Sequence, residues 1–130
     1  MNIADYFMTG LKNTLRLKTG KNLSFSNSWQ QIYTNTVIDE FYVGDFLAAE
    51  YTIIVDVANN SREIIKCLVV AGVNTANLTV YGRVNLGTDL INLNAIVDNS
   101  KVSLLASPAN GAGHKCYYTA NYYYSINQLS

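Results

Sequence analysis

The stretch that decides the fold reads YTIIVDVANNSREIIKCLVVA, residues 51–71. In residues 51–57 apolar side chains occupy every second position, so an extended backbone places them on one face. After Glu63, the segment 63–71 is almost wholly apolar on both parities apart from Lys66, which predicts a strand that is covered on both faces or lies centrally in a sheet. The Asn-Asn pair at 59–60 favours a tight turn. The two segments are therefore predicted to form a β-hairpin.

Three more strand-like segments follow, at residues 77–84, 90–97 and 101–106. The first places Leu78, Val80 and Val84 on one side, and its Gly82 marks a bulge or a close backbone approach. The second has a clear core face in the list Ile91, Leu93, Ala95 and Val97. The segments recur roughly every 11 to 14 residues, an interval typical of antiparallel sheets and too short for crossover helices. The sequence predicts an all-β fold, an antiparallel β-sandwich or a sandwich-like barrel.

Residues 1–28 are predicted to form a separate arm in front of a sandwich domain at 29–130. The spacing of Ile3, Phe7 and Leu11 favours a short helix, and the alternation from residue 14 to residue 26 favours a hairpin. The arm is basic, since it carries Lys12, Arg16, Lys18 and Lys21. These charges either protect a solvated strand edge from pairing or dock onto an acidic partner surface.

Composition limits the kinds of partner that the chain can have. The chain has 130 residues, a formal net charge of zero and 14% charged residues, which argues against a nucleic-acid binder that neutralises phosphates. It is 49% hydrophobic and contains ten tyrosines, so we expect some apolar surface to be covered by another subunit or partner.

The C-terminal segment carries tyrosine on both parities, with Tyr117, Tyr118, Tyr122 and Tyr123 as candidate partner contacts. Tyrosine combines a large apolar ring with a polar tip and is enriched at interfaces. Three interpretations stay open: a wetted sheet face, a subunit contact, or a platform on which sugars stack.

The inventory of reactive residues predicts no catalysis, no cofactor and no metal site. His114 is the only histidine and follows a glycine-rich loop, so a solvent-exposed residue is expected. Asp39 and Glu40 are adjacent in a predicted strand, point to opposite faces and are interpreted as an exposed pair. Cys67 and Cys116 lack metal-ligand spacing and are expected to be buried thiols, with a disulfide only if their strands are adjacent.

No secretory signal and no apolar run of about 20 residues is present, so synthesis in the cytoplasm without a membrane helix is expected.

Several segments, in this order and spacing, resemble a β-rich module of structural proteins in tailed bacteriophages, especially marine cyanobacterial phages. They are residues 37–41, 48–55, 62–70, 80–83 and 101–108, within about two-thirds of the chain. The resemblance implies a non-enzymatic virion component that is made in the host cytoplasm and assembled in many copies. Its implied partners are other virion proteins and copies of itself. Charge and hydropathy predict no nucleic-acid or membrane partner, and a small-molecule partner is not favoured. Such modules often occur inside longer tail or fibre chains.

Three classes of function follow. The preferred one is a virion structural protein, with capsid decoration favoured over a tail, neck or fibre component because a basic arm suits attachment to a repeating lattice. The second is a carbohydrate-binding or host-adhesion module that uses the four tyrosines. The third is a small enzyme, which would need a concave pocket with convergent polar groups.

Overall fold

The computed structural model describes residues 22–26, 30–109 and 114–125. The strands within these ranges are β1 (Asn22–Ser26), β2 (Gln30–Ile32), β3 (Thr36–Tyr42), β4 (Ala48–Ala58), β5 (Ser61–Ala71), β6 (Ala76–Asn85), β7 (Ile91–Asp98), β8 (Lys101–Pro108) and β9 (His114–Tyr123). These ranges contain no helix, and so none that could cross a bilayer. The predicted N-terminal helix and the basic residues Lys12, Arg16, Lys18 and Lys21 lie outside them.

The strands form two antiparallel sheets. The larger sheet has six strands in the order β1-β9-β4-β5-β6, and β2 pairs with β9 as well. β1 pairs with residues 119–123 of β9 and β2 with residues 114–116, so both lie along one edge of the sheet. The smaller sheet has the order β3-β8-β7. The predicted all-β, antiparallel, sandwich-like architecture is confirmed for the described part of the chain.

The core lies between the two sheets and follows the predicted alternation. Tyr51, Ile53 and Val55 of β4 are 0% exposed, as predicted for one face of that strand. The smaller sheet contributes inward side chains of its three strands, among them Phe41, Ile91, Val102 and Leu104. β5 lies centrally between β4 and β6, as predicted. Its outward side chains Ile64, Leu68 and Val70 are nevertheless exposed, so the outer face is not covered by another layer of the described chain.

A bulge in β6 changes which side chains face the core. Lys66 pairs with Gly82 and Cys67 pairs with Val80, which leaves Tyr81 as an extra residue. The bulge suggested by Gly82 is therefore confirmed. Because one extra residue reverses the alternation, Val84 lies on the opposite face from Leu78, and the predicted single apolar face of β6 is wrong beyond the bulge.

A second bulge, in β3, turns Asp39 inward. Val37 pairs with Leu105 and Asp39 with Leu104, so Ile38 is the extra residue. Asp39 is consequently only 7% exposed, and its interpretation as an exposed residue is wrong. Glu40 does point the other way, as predicted, and lies 2.8 Å from the Lys101 ammonium.

The two cysteines are free and buried, in strands that are not neighbours. Cys67 lies on β5 and Cys116 on β9, and β4 separates these two strands. The condition set for a disulfide, adjacent strands, is therefore not met. Burial raises the pKa of the Cys67 thiol to about 12 and that of Cys116 to about 11.

Candidate functional site

A buried carboxylate joins the two sheets through tyrosine hydroxyls. The hydroxyls of Tyr51 and Tyr122 donate to Oδ2 of Asp39 at 2.7 Å and 2.6 Å. The hydroxyl of Tyr118 donates to Oδ1 at 2.6 Å. These separations lie in the range of hydroxyl donors to an ionised carboxylate. We call Asp39 and the three tyrosines the Asp39 cluster.

The register of β4 against β9 makes room for the Asp39 cluster. Tyr51 lies opposite Ala120, and Tyr122 lies opposite Ala49, so two of the tyrosines face a small side chain across the ladder. Phenylalanines close the cluster on one side, since the Phe46 ring centroid lies 5.1 Å from that of Tyr122.

The Asp39 cluster has a structural role. Burial, and then the neighbouring Asp39 carboxylate, raises the pKa of Tyr51 and of Tyr122 well above the usual value, so both phenols stay protonated as donors. Tyr118 and Tyr122 are 3% and 0% exposed. Their prediction as partner contacts is wrong, because these side chains fill the core and hold the sheets together.

A second buried carboxylate, Glu63, fixes the connection from β6 to β7. Its Oε2 accepts hydrogen bonds from Arg83 Nη1 and Asn85 Nδ2, each at 3.0 Å. Its Oε1 accepts from the backbone N–H of Leu90 at 3.2 Å. Arg83 Nη1 also lies 3.5 Å from Asp89 Oδ2. We call this group the Glu63 cluster, and it attaches the loop that carries the chain from the larger sheet to the smaller one.

The outer face of the larger sheet carries apolar side chains that are accessible to a partner. Tyr117 pairs with Ile54, Ile54 with Ile64, and Ile64 with Val84, so four apolar side chains form one row across β9, β4, β5 and β6. We call these four residues the outer row. Tyr117, Ile64 and Val84 are 43%, 39% and 69% exposed. Tyr117 is the one member of the outer row that was predicted as a partner contact, and the apolar residues on both parities of 64–71 were a signal for Ile64.

The four-tyrosine platform predicted for sugar stacking does not form. Only Tyr117 and Tyr123 of the four are exposed, and they lie six positions apart on β9, roughly 20 Å along the strand. Tyr81 is exposed on the same sheet face, where its hydroxyl donates to Glu50 at 2.8 Å. The two exposed tyrosines remain predicted partner contacts.

His114 is buried, at 6% exposure, and pairs with Ile32 where β9 begins. Its prediction as a solvent-exposed loop residue is wrong, because the strand starts at the histidine and His114 lies on the buried face of β9. The described residues contain no group of three or more His, Cys, Asp or Glu side chains placed to hold a metal ion.

No protein-family model matches the chain, and no curated protein does. The chain is similar to parts of three solved tailspike structures. That of Acinetobacter baumannii phage AM24 is 12% identical, with a TM-score of 0.45, over 80% of this chain and 26% of the tailspike. That of Acinetobacter phage vB_ApiP_P1 is 11% identical, with a TM-score of 0.40, over 75% and 20%. That of A. baumannii bacteriophage Fri1, a capsular polysaccharide depolymerase, is 10% identical, with a TM-score of 0.38, over 84% and 18%.

These similarities change two of the expectations. The prediction that the chain is not an enzyme is contradicted by the Fri1 comparison, because that tailspike is a capsular polysaccharide depolymerase. The three proteins are phage proteins, as the sequence resemblance implied, but they are tailspikes and belong to Acinetobacter phages, whereas the resemblance pointed to cyanobacterial phages and the preferred role was capsid decoration. The chain spans about a quarter or less of the length of each tailspike.

Proposed function

We propose that the chain is a tail-associated structural component of a bacteriophage virion. The sequence resemblance is to β-rich modules that often occur inside longer tail or fibre chains, and the antiparallel two-sheet architecture suits such a module. The capsid preference depended on the basic arm at residues 1–28, and most of that arm lies outside the described residues.

The observation that carries the proposal is the outer row on the larger sheet. Apolar side chains that follow one another across four neighbouring strands form a continuous patch, and such patches on soluble proteins mark sites of protein contact. Charge does not oppose contact, because the chain has a formal net charge of zero. In this proposal the outer row faces a neighbouring tail protein.

The location can be tested on purified particles of a phage that carries the chain. Heads and tails are separated, and the chain is quantified in each fraction by mass spectrometry against known head and tail proteins. We expect it in the tail fraction at a fixed ratio to the tail proteins. Recovery with heads alone would favour capsid decoration, and absence from both fractions would overturn a virion role.

The contact surface can be tested with two matched substitutions. Ile64→Lys places a charge in the outer row, whereas Ile96→Lys places it at 44% exposure on the outer side of the smaller sheet. Each tagged variant is supplied during infection by a phage that lacks the chain. We expect Ile64→Lys to reduce incorporation into particles at least tenfold and Ile96→Lys to leave it unchanged. Equal incorporation of both variants would exclude the outer row as the contact.

A further inference from the structure

The strand β6 lies at an open edge of the larger sheet. It pairs with β5 on one side, and no strand of the described chain pairs with it on the other side. An edge strand presents unpaired backbone N–H and C=O groups that can pair with another chain. Proteins usually protect such edges with lysine, proline, bulges or covering loops.

The first half of β6, residues 76–80, carries none of the usual protection. It reads ANLTV, without charge or proline, and the bulge comes after it at Tyr81. The edge strand β3 differs, because its bulge at Ile38 and the charged Glu40 interrupt any approaching strand. Between residues 76 and 97 the only charged residues are Arg83 and Asp89, which lie 3.5 Å apart. A second copy of this chain would therefore meet no like-charge repulsion here.

The same five residues are complementary to themselves. In an antiparallel pair centred on Leu78, Ala76 lies opposite Val80 of the second copy, and Asn77 lies opposite its Thr79. Apolar side chains then meet on one face and polar side chains on the other. We propose that residues 76–80 of two copies pair in this way about a two-fold axis at Leu78, which joins the two larger sheets edge to edge.

The packing of β6 supports a second copy as the occupant. Ala76 and Leu78 contact the core but are only partly buried, and Val80 is 36% exposed. The facing edge of the smaller sheet also carries partly buried apolar side chains, Leu93 and Val97. The side of the sandwich between β6 and β7 is thus incompletely covered. Pairing gives the backbone groups at the edge of β6 hydrogen-bond partners. It also brings the partner's Leu78 and Val80 against the incompletely covered side between β6 and β7.

Leu78→Cys tests the two-fold axis directly. Residues opposite each other in an antiparallel pair have Cα atoms about 4.5–5.5 Å apart, which fits disulfide geometry. Under mild oxidation we expect most Leu78→Cys chains to form a disulfide-linked dimer. Thr79→Cys serves as the control, because Thr79 faces Asn77 of the partner and not itself. The native thiols of Cys67 and Cys116 are buried and stay reduced. Equal crosslinking at both positions, or at neither, would overturn the proposed register.

A charge substitution tests the interface without a crosslink. Val80→Lys adds a charge to the proposed interface, and Val37→Lys adds one to the edge strand β3, where Val37 is 42% exposed. Light scattering across a concentration series should give a dimer for the unmodified chain and for Val37→Lys, and a monomer for Val80→Lys. Circular dichroism checks that both variants fold. A monomeric unmodified chain, or a Val80→Lys variant that stays dimeric, would overturn the proposal. Neither result bears on the tail location, which the particle fractions test separately.

Discussion

The two buried carboxylates of the sandwich, Asp39 and Glu63, are satisfied by different kinds of donor. Asp39 receives three neutral hydroxyls from the opposite sheet. Glu63 receives a guanidinium, an amide and a backbone N–H from its own sheet and from the loop that leaves it. The Arg83 side chain is 21% exposed, whereas the donors of Asp39 are residues at most 3% exposed. The first cluster fixes one sheet against the other, and the second fixes a connection at the rim.

This difference predicts that replacing Asp39 lowers the free energy of unfolding more than replacing Glu63 does. Asp39→Ala leaves three hydroxyls in a place that water does not reach, so we expect a loss of about 3–5 kcal/mol in the free energy of unfolding. Glu63→Ala leaves Arg83 with Asp89 and solvent nearby, and we expect a loss of about 2–3 kcal/mol. Urea denaturation of both variants measures the two values. A larger loss for Glu63→Ala would show that the rim connection contributes more stability than the cluster between the sheets.

Alkaline pH is expected to weaken the Asp39 cluster. The folded-state pKa values of Tyr51 and Tyr122 are raised above the ordinary value of 10.0, so the stability that they contribute is fully present below pH 10. It is lost as the pH rises above 10, because the unfolded chain releases these protons first. Each such group contributes a slope of about 1.4 kcal/mol per pH unit in this range. The buried thiols of Cys67 and Cys116 add losses that begin near pH 9.

Urea denaturation between pH 8 and pH 11 measures this slope. Replacing Tyr51 and Tyr122 together by phenylalanine should make the slope shallower, and Glu63→Gln should leave it unchanged. An equal slope in all three proteins would mean that the tyrosines do not titrate with unfolding.

A single hydroxyl of the Asp39 cluster is expected to contribute less to the free energy of unfolding than the carboxylate does. Tyr122→Phe removes one donor and leaves the ring in place, so we expect a loss of about 1 kcal/mol. Tyr123→Phe is the matched control on the same strand, because Tyr123 points to the outer face, and we expect a change within about 0.5 kcal/mol. Equal losses for the two variants would indicate that the hydroxyl of Tyr122 has no special role in joining the sheets.

The alternation of apolar residues predicted much of this arrangement. It identified the inward face of β4 and of β7 and the hairpin at 59–60, because the side-chain period of a strand is a local property. It did not identify the Asp39 cluster. The bulge at Ile38 that turns Asp39 inward depends on pairing with β8, and residues far apart in sequence bring the three hydroxyls together. A carboxylate beside Glu40 therefore looked like an ordinary surface pair.

The outer row and the open edge at β6 also depend on contacts between strands that the sequence pattern does not reveal. The apolar residues on both parities of 63–71 were visible in the sequence, but whether a second layer covers the outer face depends on how many strands each sheet has. The six-stranded and the three-stranded sheet pack against each other through their inner faces, and the outer side chains Ile64, Leu68 and Val70 stay exposed. Gly82 did indicate the bulge, because a glycine within an alternating strand is a local signal. Which face Val84 and Arg83 occupy after the bulge followed only from the register.

The smallest expected effect belongs to an exposed ion pair that sets the baseline for both clusters. Arg62 Nε lies 3.0 Å from Asp56 Oδ1, and both side chains are more than half exposed. Because water screens this pair, Arg62→Ala should change the free energy of unfolding by less than about 0.5 kcal/mol, and salt should remove the difference. Arg83→Ala, which removes the guanidinium from Glu63, should cost about 2 kcal/mol and keep most of that effect in salt. Similar losses for the two arginine variants would mean that burial does not strengthen the Glu63 cluster, and the contrast with Asp39 would then reduce to a difference between buried and exposed groups.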